Sequence, residues 1–248
     1  MDFSGKNVVV TGGASGIGRA VVDGIIAGGG TAVIVDINME AAKTAQNELG
    51  KERVYIYKAD MSNPSEIRSV FSQIINDMSQ IHVLINNAGI ISKKPFQEIS
   101  QEEWDRVISI NLTGVFASIS TVYSHMVEKN YGRIVNVSSV AAKIGGGLLG
   151  TSAYASSKAG VIGLTKAVAK EGAAKGVACN AVCPSMTMTP MILSEPEEKQ
   201  ERIRTAIPMK RGAQPKEIAN VILFYASDLA SFVTGEISDV DGGVTMDG

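Results

Sequence analysis

The sequence has few of the residues that build metal centres and disulfide frameworks. It contains two cysteines, two histidines and one tryptophan in 248 residues. His82 and His125 are too few and too far apart in sequence to predict a metal site. Cys179 and Cys183 lie four residues apart in a predicted strand, so they share a face without being close enough to bond. We therefore expect two buried thiols, no metal and a cytoplasmic protein.

The sequence also lacks an excess of charge and long apolar runs. It contains 23 Lys and Arg and 25 Asp and Glu, for a formal net charge of -2. No basic run predicts binding to nucleic acid or to a membrane surface. No apolar run reaches the length of a membrane span, and because Met1 leads directly into a strand pattern we expect no signal peptide. With 45% hydrophobic and 19% charged residues, we expect one globular domain over residues 1–248.

Apolar runs of strand length alternate with segments of helical periodicity. The runs are continuous, which is typical of strands buried on both faces of a parallel sheet. The predicted strands are 7–10, 31–35, 54–57, 83–85, 133–137, 177–182 and 236–240. The predicted helices are 17–27, 39–49, 64–78, 102–129, 154–175, 197–206 and 215–226. This order predicts an α/β fold: a doubly wound (Rossmann) parallel sheet of seven strands with helices on both faces.

A glycine-rich turn connects the first predicted strand to the first helix. It reads Thr11-Gly12-Gly13-Ala14-Ser15-Gly16-Ile17-Gly18. Glycine lets the backbone turn tightly and approach a pyrophosphate, which then faces the helix N-terminus. The spacing is not G-x-G-x-x-G, no lysine follows Gly18 as in a Walker loop, and Ser15 lacks the second glycine of a nucleophile elbow. By itself the turn leaves open both a nucleotide site and a tight turn without a ligand.

Asp36 ends the second predicted strand, eighteen residues after Gly18. An acidic residue in that place accepts hydrogen bonds from the ribose hydroxyls of an adenosine. An aspartate at the end of a strand is otherwise an ordinary turn residue. The combination with the glycine-rich turn favours a dinucleotide site.

Tyr154 and Lys158 are four residues apart at the start of a predicted helix. This spacing places both side chains on one helix face. A nearby ammonium is expected to lower the pKa of the phenol from about 10, which suits proton transfer to and from a substrate oxygen. Because Y-x-x-x-K is common by chance, the pair alone also fits an ordinary helix surface. The glycine-rich turn and the upstream pair Ser138-Ser139 favour the catalytic interpretation.

Together these motifs resemble the short-chain dehydrogenase/reductase family, close to the 3-oxoacyl-[acyl-carrier-protein] reductases. The resemblance covers nearly the whole chain. The matching stretches are 11–18, Asp60-Met61, Asn86-Asn87-Ala88-Gly89, Ile110-Asn111-Leu112-Thr113-Gly114, Ser139, Tyr154 with Lys158, 184–189 and Val240-Asp241-Gly242-Gly243. The resemblance implies an enzyme that transfers a hydride between a nicotinamide and a secondary alcohol or ketone.

The resemblance also implies roles for individual residues. Tyr154 is the general acid and base, Lys158 lowers its pKa and binds the nicotinamide ribose, Ser139 orients the substrate oxygen, and Asn111 holds a water. The implied cofactor site consists of Gly12, Ser15, Gly16, Ile17, Gly18, Asp36, Asp60, Met61, Asn87, Ala88, Gly89, Tyr154, Lys158, Pro184, Thr187 and Thr189. Asp36 would repel a 2′-phosphate, and Ser15, Ile37 and Asn38 supply no cation, so the expected cofactor is NAD.

Two departures from the family pattern bear on the pocket. Ser185 stands where the family usually has glycine, and a positive φ there would strain a serine. The segment between Ser139 and Tyr154 is longer than in the commonest members, and either shapes the substrate pocket or forms a surface loop. The stretch 186–201 resembles the substrate loop of the family. Its methionines fit an apolar substrate or packing against the cofactor.

The identity of the small-molecule carbonyl or alcohol substrate stays open. The alternatives are a 3-oxoacyl-[acyl-carrier-protein] reductase proper, a sugar or polyol dehydrogenase, and a regulator that binds a dinucleotide without catalysis. A regulator would not need all four catalytic residues, and an epimerase of the extended branch needs a further domain for which 248 residues leave no room.

The resemblance implies a homotetramer in which helices 102–129 and 154–175 pair with their copies. Their small or apolar residues include Ala155, Ala159, Val161, Ile162, Leu164 and Ala167. A carrier-bound substrate would favour a basic patch near the mouth of the site, for which Lys129, Arg133, Lys210 and Arg211 are the candidates.

Overall fold

Seven parallel strands form one sheet in the computed structural model, which describes residues 1–147 and 150–246. The strands are β1 (Asn7–Thr11), β2 (Thr31–Asp36), β3 (Val54–Lys58), β4 (Val83–Asn86), β5 (Gly132–Val137), β6 (Val177–Pro184) and β7 (Ile237–Val240). Their order is β3-β2-β1-β4-β5-β6-β7, and every neighbouring pair is parallel. The predicted doubly wound fold is confirmed.

The helices lie on both faces of this sheet. They are α1 (Gly16–Ala27), α2 (Met39–Leu49), α3 (Pro64–Met78), α4 (Gln101–Ile108), α5 (Gly114–Glu128), α6 (Ala141–Ile144), α7 (Ser152–Gly172), α8 (Pro190–Leu193), α9 (Glu197–Ala206) and α10 (Pro215–Ala226). The predicted helix 102–129 is divided into α4 and α5 by a π-helical turn, Ser109–Thr113. The sequence did not predict α6 and α8, because four residues are too few to show a helical period.

Side-chain caps determine where several helices begin. The Asn63 carboxamide oxygen accepts from the backbone N–H groups of Ser65 and Glu66, and Pro64 occupies the first turn of α3. Asn38 caps α2 in the same way, through the N–H of Ala41. These local hydrogen bonds satisfy backbone donors that have no partner within the helix.

Two apolar layers sandwich the sheet. Val10 and Ile34 point to one face and pack with Val22 of α1 and Ile222 of α10. Leu84 and Ile134 belong to the opposite layer, with residues of α3, α5 and α7. Because both faces are covered, the strands read as continuous apolar runs.

The segment Gln101–Glu128 is long and apolar enough to cross a membrane by length and composition, since its most apolar 18-residue window has a mean hydropathy of 1.4. The expectation that no run reaches that length was therefore wrong on this criterion. In the fold, Val115, Ala117, Ile119 and Val122 of this segment are at most 4% exposed. They pack in the layer formed by α3 and the sheet, which is the packing of a core helix.

Candidate active site

A cavity of about 930 Å³ lies at the carboxyl ends of the strands. The strand order reverses between β1 and β4, and open α/β sheets bind ligands in the crevice at such a reversal. The predicted cofactor residues that line it are Gly12, Ser15, Gly16, Ile17, Asp36, Asp60, Met61, Asn87, Ala88, Gly89, Tyr154, Lys158, Pro184, Thr187 and Thr189. Ser139 also lines this cavity, whereas Gly18 and Asn111 lie behind its wall.

The glycine-rich turn leaves room for a pyrophosphate. Gly12 and Gly16 have φ values of +64° and +55°, which a side chain would strain. A Cβ at Gly18 would lie 2.1 Å from the Gly12 carbonyl oxygen, so Gly18 permits the tight turn without touching the cavity. The first turn of α1 has no acidic residue, and its N–H groups suit an anion. These residues therefore fit the phosphates of a dinucleotide.

Asn87 joins the end of β4 to the same turn. Its side-chain Nδ2 donates to the carbonyl oxygens of Thr11 and Gly12 at 3.1 and 3.0 Å. The backbone N–H groups of Asn87 and Ala88 donate in turn to the Thr11 hydroxyl at 3.0 and 3.1 Å. The two strand ends that border the cofactor groove are thus held at a fixed separation.

Asp36 ends β2 and lines the groove. Its two oxygens accept from the backbone N–H groups of Ala14 and Asn38 at 3.1 and 2.9 Å. Arg19 and Lys43, the basic residues nearest in sequence, form ion pairs with other carboxylates. Among the residues that the structure describes, no ion pair neutralises Asp36.

Asp60 and Met61 border the groove beyond Asp36. The backbone N–H and the hydroxyl of Ser62 donate to Asp60, and these bonds hold the pKa of Asp60 below its usual value. Arg106 on α4 also lines this end of the cavity and attracts Asp60 electrostatically. The sequence contains no motif that singles out Arg106, because its position depends on the packing of α4 over β3.

Tyr154, Ser139 and Lys158 meet where β5 ends and α7 begins. Ser139 and Tyr154 both line the cavity, and the Ser139 side chain is close enough to the phenol to act on its pKa. Lys158 is 4% exposed, and its Nζ donates to the Val137 carbonyl oxygen at 2.8 Å. The Ser138 hydroxyl donates to the Lys158 carbonyl oxygen at 2.9 Å. The end of β5 therefore anchors the catalytic face of α7.

Burial decides the pKa of both titratable groups here. It raises the pKa of the Tyr154 phenol above its ordinary value, and the neighbouring Ser139 side chain opposes this rise. Burial lowers the pKa of Lys158 to about 8. The expectation that Lys158 lowers the pKa of Tyr154 was wrong for this arrangement, because the Lys158 Nζ is 5.8 Å from the centre of the phenol ring and donates to a carbonyl.

Asn111 sits in the π-helical turn and is fully buried. Its Oδ1 accepts from the Ile90 N–H at 2.9 Å, and its Nδ2 donates to the Ile90 carbonyl oxygen at 2.9 Å. A Cβ at Gly89 would lie 3.2 Å from Asn111 Oδ1 and 3.3 Å from Lys158 Nζ. Asn111 therefore supports the Ile90 backbone directly behind the catalytic cluster, and its predicted role in holding a water stays a prediction.

The other end of the cavity is apolar. Met186, Ile192 and Ile207 form a small core cluster separate from the two main layers. The remaining apolar residues that line this end are Val140, Ala141, Ile144, Met191, Ile203, Ala206 and Val244. All charged side chains among the described lining residues belong to the cofactor groove or to the catalytic cluster: Asp36, Asp60, Arg106 and Lys158.

Ser185 does not carry the strain considered above. Its φ is not positive, and its hydroxyl donates to the Asp241 carbonyl oxygen at 2.8 Å. Asp241 in turn accepts from Gly243 and Thr245, so the loop after β6 is tied to the C-terminal turn. Glu195, within the predicted substrate loop 186–201, forms ion pairs with Lys93 and Lys199.

The basic residues considered for docking of a carrier do not border the cavity. Arg133 lies at the amino end of β5, where it pairs with Asp228 at 3.7 Å. Arg211 pairs with Glu217 at 2.6 Å. These four residues therefore form no basic patch at the mouth of the site. Cys179 and Cys183 are free and buried, as predicted.

Comparison with known proteins agrees with this geometry. The family model described as Enoyl-(Acyl carrier protein) reductase matches residues 12–245. A 3-oxoacyl-[acyl-carrier-protein] reductase of Thermotoga maritima is 39% identical over 250 residues, which span 99% of this chain and 100% of that protein. An acetoacetyl-CoA reductase of Shinella zoogloeoides is 40% identical over 237 residues, spanning 95% of this chain and 96% of the relative. The crystal structure of gox2181 superposes with a TM-score of 0.94 and 31% identity, covering 98% of this chain and 96% of that one.

These matches extend over the cofactor groove, the catalytic cluster and the apolar end of the cavity. The groove and the glycine-rich turn suit a dinucleotide, and the cluster at the end of β5 suits chemistry on an oxygen. The chain therefore belongs to the short-chain dehydrogenase/reductase family, and it is an oxidoreductase that acts on a ketone or an alcohol with a nicotinamide dinucleotide.

Proposed function

We propose that the protein is an NAD(H)-dependent oxidoreductase that interconverts a secondary alcohol and a ketone, with Tyr154 as general acid and base. One observation carries the proposal: Tyr154, with Ser139 beside it and Lys158 one helical turn further on, lines the same cavity as the glycine-rich turn. A cofactor bound along the groove and a substrate in the apolar end would therefore meet at these three side chains.

The chain's own residues supply the proton and the orientation. When bound, a nicotinamide supplies or accepts the hydride. Ser139 and Tyr154 both present a hydroxyl to the substrate oxygen, which fixes its position. Because burial raises its pKa, the Tyr154 phenol is protonated at neutral pH and donates to the substrate oxygen during reduction. Lys158 binds the nicotinamide ribose, as the family resemblance implies, and in oxidation the Tyr154 phenolate accepts the proton of the alcohol.

Asp36 supports NAD(H) as the cofactor. Its carboxylate stands where the adenosine ribose is expected, and Arg19 and Lys43 are engaged by other carboxylates. A 2′-phosphate would place two like charges together.

The apolar end of the cavity supports a ketone that is uncharged near its carbonyl. A sugar or polyol would leave several hydroxyls against Met186, Ile192 and Ile207 without hydrogen-bond partners, which is costly. A second candidate is a 3-oxoacyl thioester reductase. It is favoured by the names of the two relatives, one a 3-oxoacyl-[acyl-carrier-protein] reductase and the other an acetoacetyl-CoA reductase.

The proposal includes one domain over residues 1–248 that works as a cytoplasmic homotetramer. Phe116 on α5 is 52% exposed, and Ala159 and Ala167 lie on the outer face of α7. Ala155 and Val161 are 7% and 1% exposed, so they pack within the chain and not in a subunit interface. Pairing of α5 and α7 between copies would cover the exposed residues.

The test combines a substrate panel with removal of the proton donor. Ketones, polyols, acetoacetyl-CoA and a 3-oxoacyl carrier protein are assayed by the absorbance of NAD(P)H. Tyr154→Phe is expected to lower kcat on the best substrate by about 10²–10⁴-fold without changing the melting temperature. Tyr123→Phe is the matched control, because among the described residues the buried Tyr123 hydroxyl has no hydrogen-bond partner. Near-normal turnover by Tyr154→Phe would overturn the assignment.

A further inference from the structure

Gly150 lies against the ring of Tyr154. A Cβ built at Gly150 would be 2.3 Å from Tyr154 Cδ1, 3.0 Å from Cε1 and 3.1 Å from Cγ. These separations are well inside ordinary carbon contacts of about 3.5–4.0 Å. The φ of Gly150 is not positive, so backbone conformation does not require a glycine here. The requirement comes from the close approach of the phenol ring.

The backbone at Gly150 is held from both sides. The Gly150 carbonyl oxygen accepts from the Gly147 N–H at 2.7 Å. Thr151 donates its N–H and its hydroxyl to the Ser92 carbonyl oxygen at 3.0 and 3.1 Å. The Thr151 carbonyl oxygen accepts from Ala155 at 2.8 Å, in the first turn of α7. Gly150 therefore cannot retreat from the ring without breaking these bonds.

The ring is constrained at its other end as well. The Ser139 side chain lies beside the Tyr154 phenol, and the Tyr154 carbonyl oxygen accepts from the Ser157 hydroxyl at 2.7 Å. A Cβ added at Gly150 would clash with atoms of the rigid Tyr154 ring and not with a flexible chain end. The phenol would therefore have to rotate or shift to make room for it. Either movement displaces its oxygen from Ser139 and from the substrate.

We propose that Gly150 is a positioning residue for Tyr154: its backbone forms a wall that sets the orientation of the phenol for proton transfer. This inference rests on the proposed role of Tyr154. It assigns a function in the site to the segment between Ser139 and Tyr154, within which residues 148 and 149 lie outside the described part of the chain. The wall acts on geometry alone, since Gly150 has no side chain that touches the substrate.

The first experiment compares two variants that each add one methyl group to this segment, one at Gly150 and one at Gly147. Gly150→Ala is expected to lower kcat by about 10–100-fold, because small misplacements of a reacting group are costly. Its affinity for NADH, measured by fluorescence titration, is expected to stay within about twofold of the wild type. Gly147→Ala is the matched control: among the described residues nothing lies within 4 Å of a Cβ there, and alanine keeps the N–H that binds Gly150. We expect its kcat to stay within about twofold.

A double-mutant cycle separates positioning from general damage. In a Tyr154→Phe background, Gly150→Ala is expected to change the residual rate by less than about twofold, because no phenol oxygen remains to be misplaced. A merely structural role would lower the rate by the same factor in both backgrounds. Additive losses, or a Gly150→Ala enzyme with wild-type kcat, would overturn the inference. Equal losses in Gly147→Ala and Gly150→Ala would also overturn it.

A milder variant keeps the inference testable if Gly150→Ala does not fold. Thr151→Val removes the hydroxyl bond to Ser92 and keeps the volume, so it loosens the wall without a clash. We expect a loss of about threefold in kcat, an unchanged affinity for NADH and a shifted pH profile of kcat. An unchanged kcat in Thr151→Val would contradict the proposal that the backbone at Gly150 positions the phenol. Normal turnover by Tyr154→Phe would contradict the proposed function itself. An inactive Tyr154→Phe together with a normal kcat in Thr151→Val would contradict only the positioning role of Gly150.

Discussion

Asn111 and Ser157 lie on different helical segments, 46 residues apart in sequence, and are joined by a hydrogen bond of 3.0 Å from Asn111 Nδ2 to Ser157 Oγ. The Ser157 hydroxyl donates onward to the Tyr154 carbonyl oxygen at 2.7 Å. The π-helical turn around Asn111 is thereby linked to the helix that carries Tyr154 and Lys158. A π-helical turn within an α-helix is frequent at functional sites.

Ser157→Ala removes this link. Asn111 Nδ2 keeps a partner in the variant, because it still donates to the Ile90 carbonyl oxygen. We expect a loss of about 1 kcal/mol in the free energy of unfolding, measured in urea. We also expect a several-fold fall in kcat, because Asn111 and Tyr154 lose their connection. The exposed neighbour Ser156 supplies the control variant Ser156→Ala. Identical stability and kcat in the two variants would show that the link is incidental.

The cofactor preference follows from Asp36. On one accepted substrate, kcat/KM with NADH is expected to exceed that with NADPH by at least about 30-fold, or roughly 2 kcal/mol. Asp36→Asn removes the charge and is expected to narrow this ratio by about tenfold. Asp2→Asn, a change to an exposed carboxylate near the N-terminus, should leave the ratio unaltered. Equal efficiency with both cofactors would mean that Asp36 does not face the ribose.

The environments of the two histidines predict that the free energy of unfolding decreases in mild acid. His82 Nδ1 accepts from the Asn7 N–H at 3.0 Å, and His125 Nε2 accepts from the Ile81 N–H at 3.2 Å. Burial lowers the pKa of both rings below 6.5. The unfolded chain therefore binds more protons, so this contribution is present above pH 6.5 and is lost as the pH falls through the folded-state pKa values.

The melting temperature is thus expected to fall between pH 7.5 and 5.5, a range above the titration of unfolded carboxyl groups at about 4. His82→Asn offers an acceptor that does not protonate, so it should weaken this pH dependence. A melting temperature that stays constant over the range in the wild type would contradict the prediction.

The oligomeric state is testable by mass in solution. We expect a particle of four chains of 26.1 kDa at micromolar concentration. Phe116→Asp places a charge on the exposed face of α5 and is expected to produce smaller species. Tyr55→Asp on the edge strand β3 is the control, as this strand lies away from α5 and α7. A wild-type protein that is only monomeric would contradict the homotetramer.

The sequence by itself determined the layout of the fold. Continuous apolar runs identified the seven strands, because burial on both faces removes the polar alternation of a half-exposed strand. Gly12 and Gly16 marked the turn, since positive φ is a local property that glycine tolerates. The four-residue spacing of Tyr154 and Lys158 placed them on one helix face, because helical periodicity is also a local property.

Only the tertiary structure decided how the site residues are arranged. The pKa of Tyr154 is raised and not lowered, because burial depends on every segment packed around it. Arg133 proved to lie at the far end of the sheet, and Arg106 to line the cavity. Other contacts in the site follow no sequence periodicity. They join Asn111 to Ile90 and Ser157, and Gly150 to Tyr154. Such contacts depend on how helices and loops pack on the sheet, and no local propensity encodes that packing.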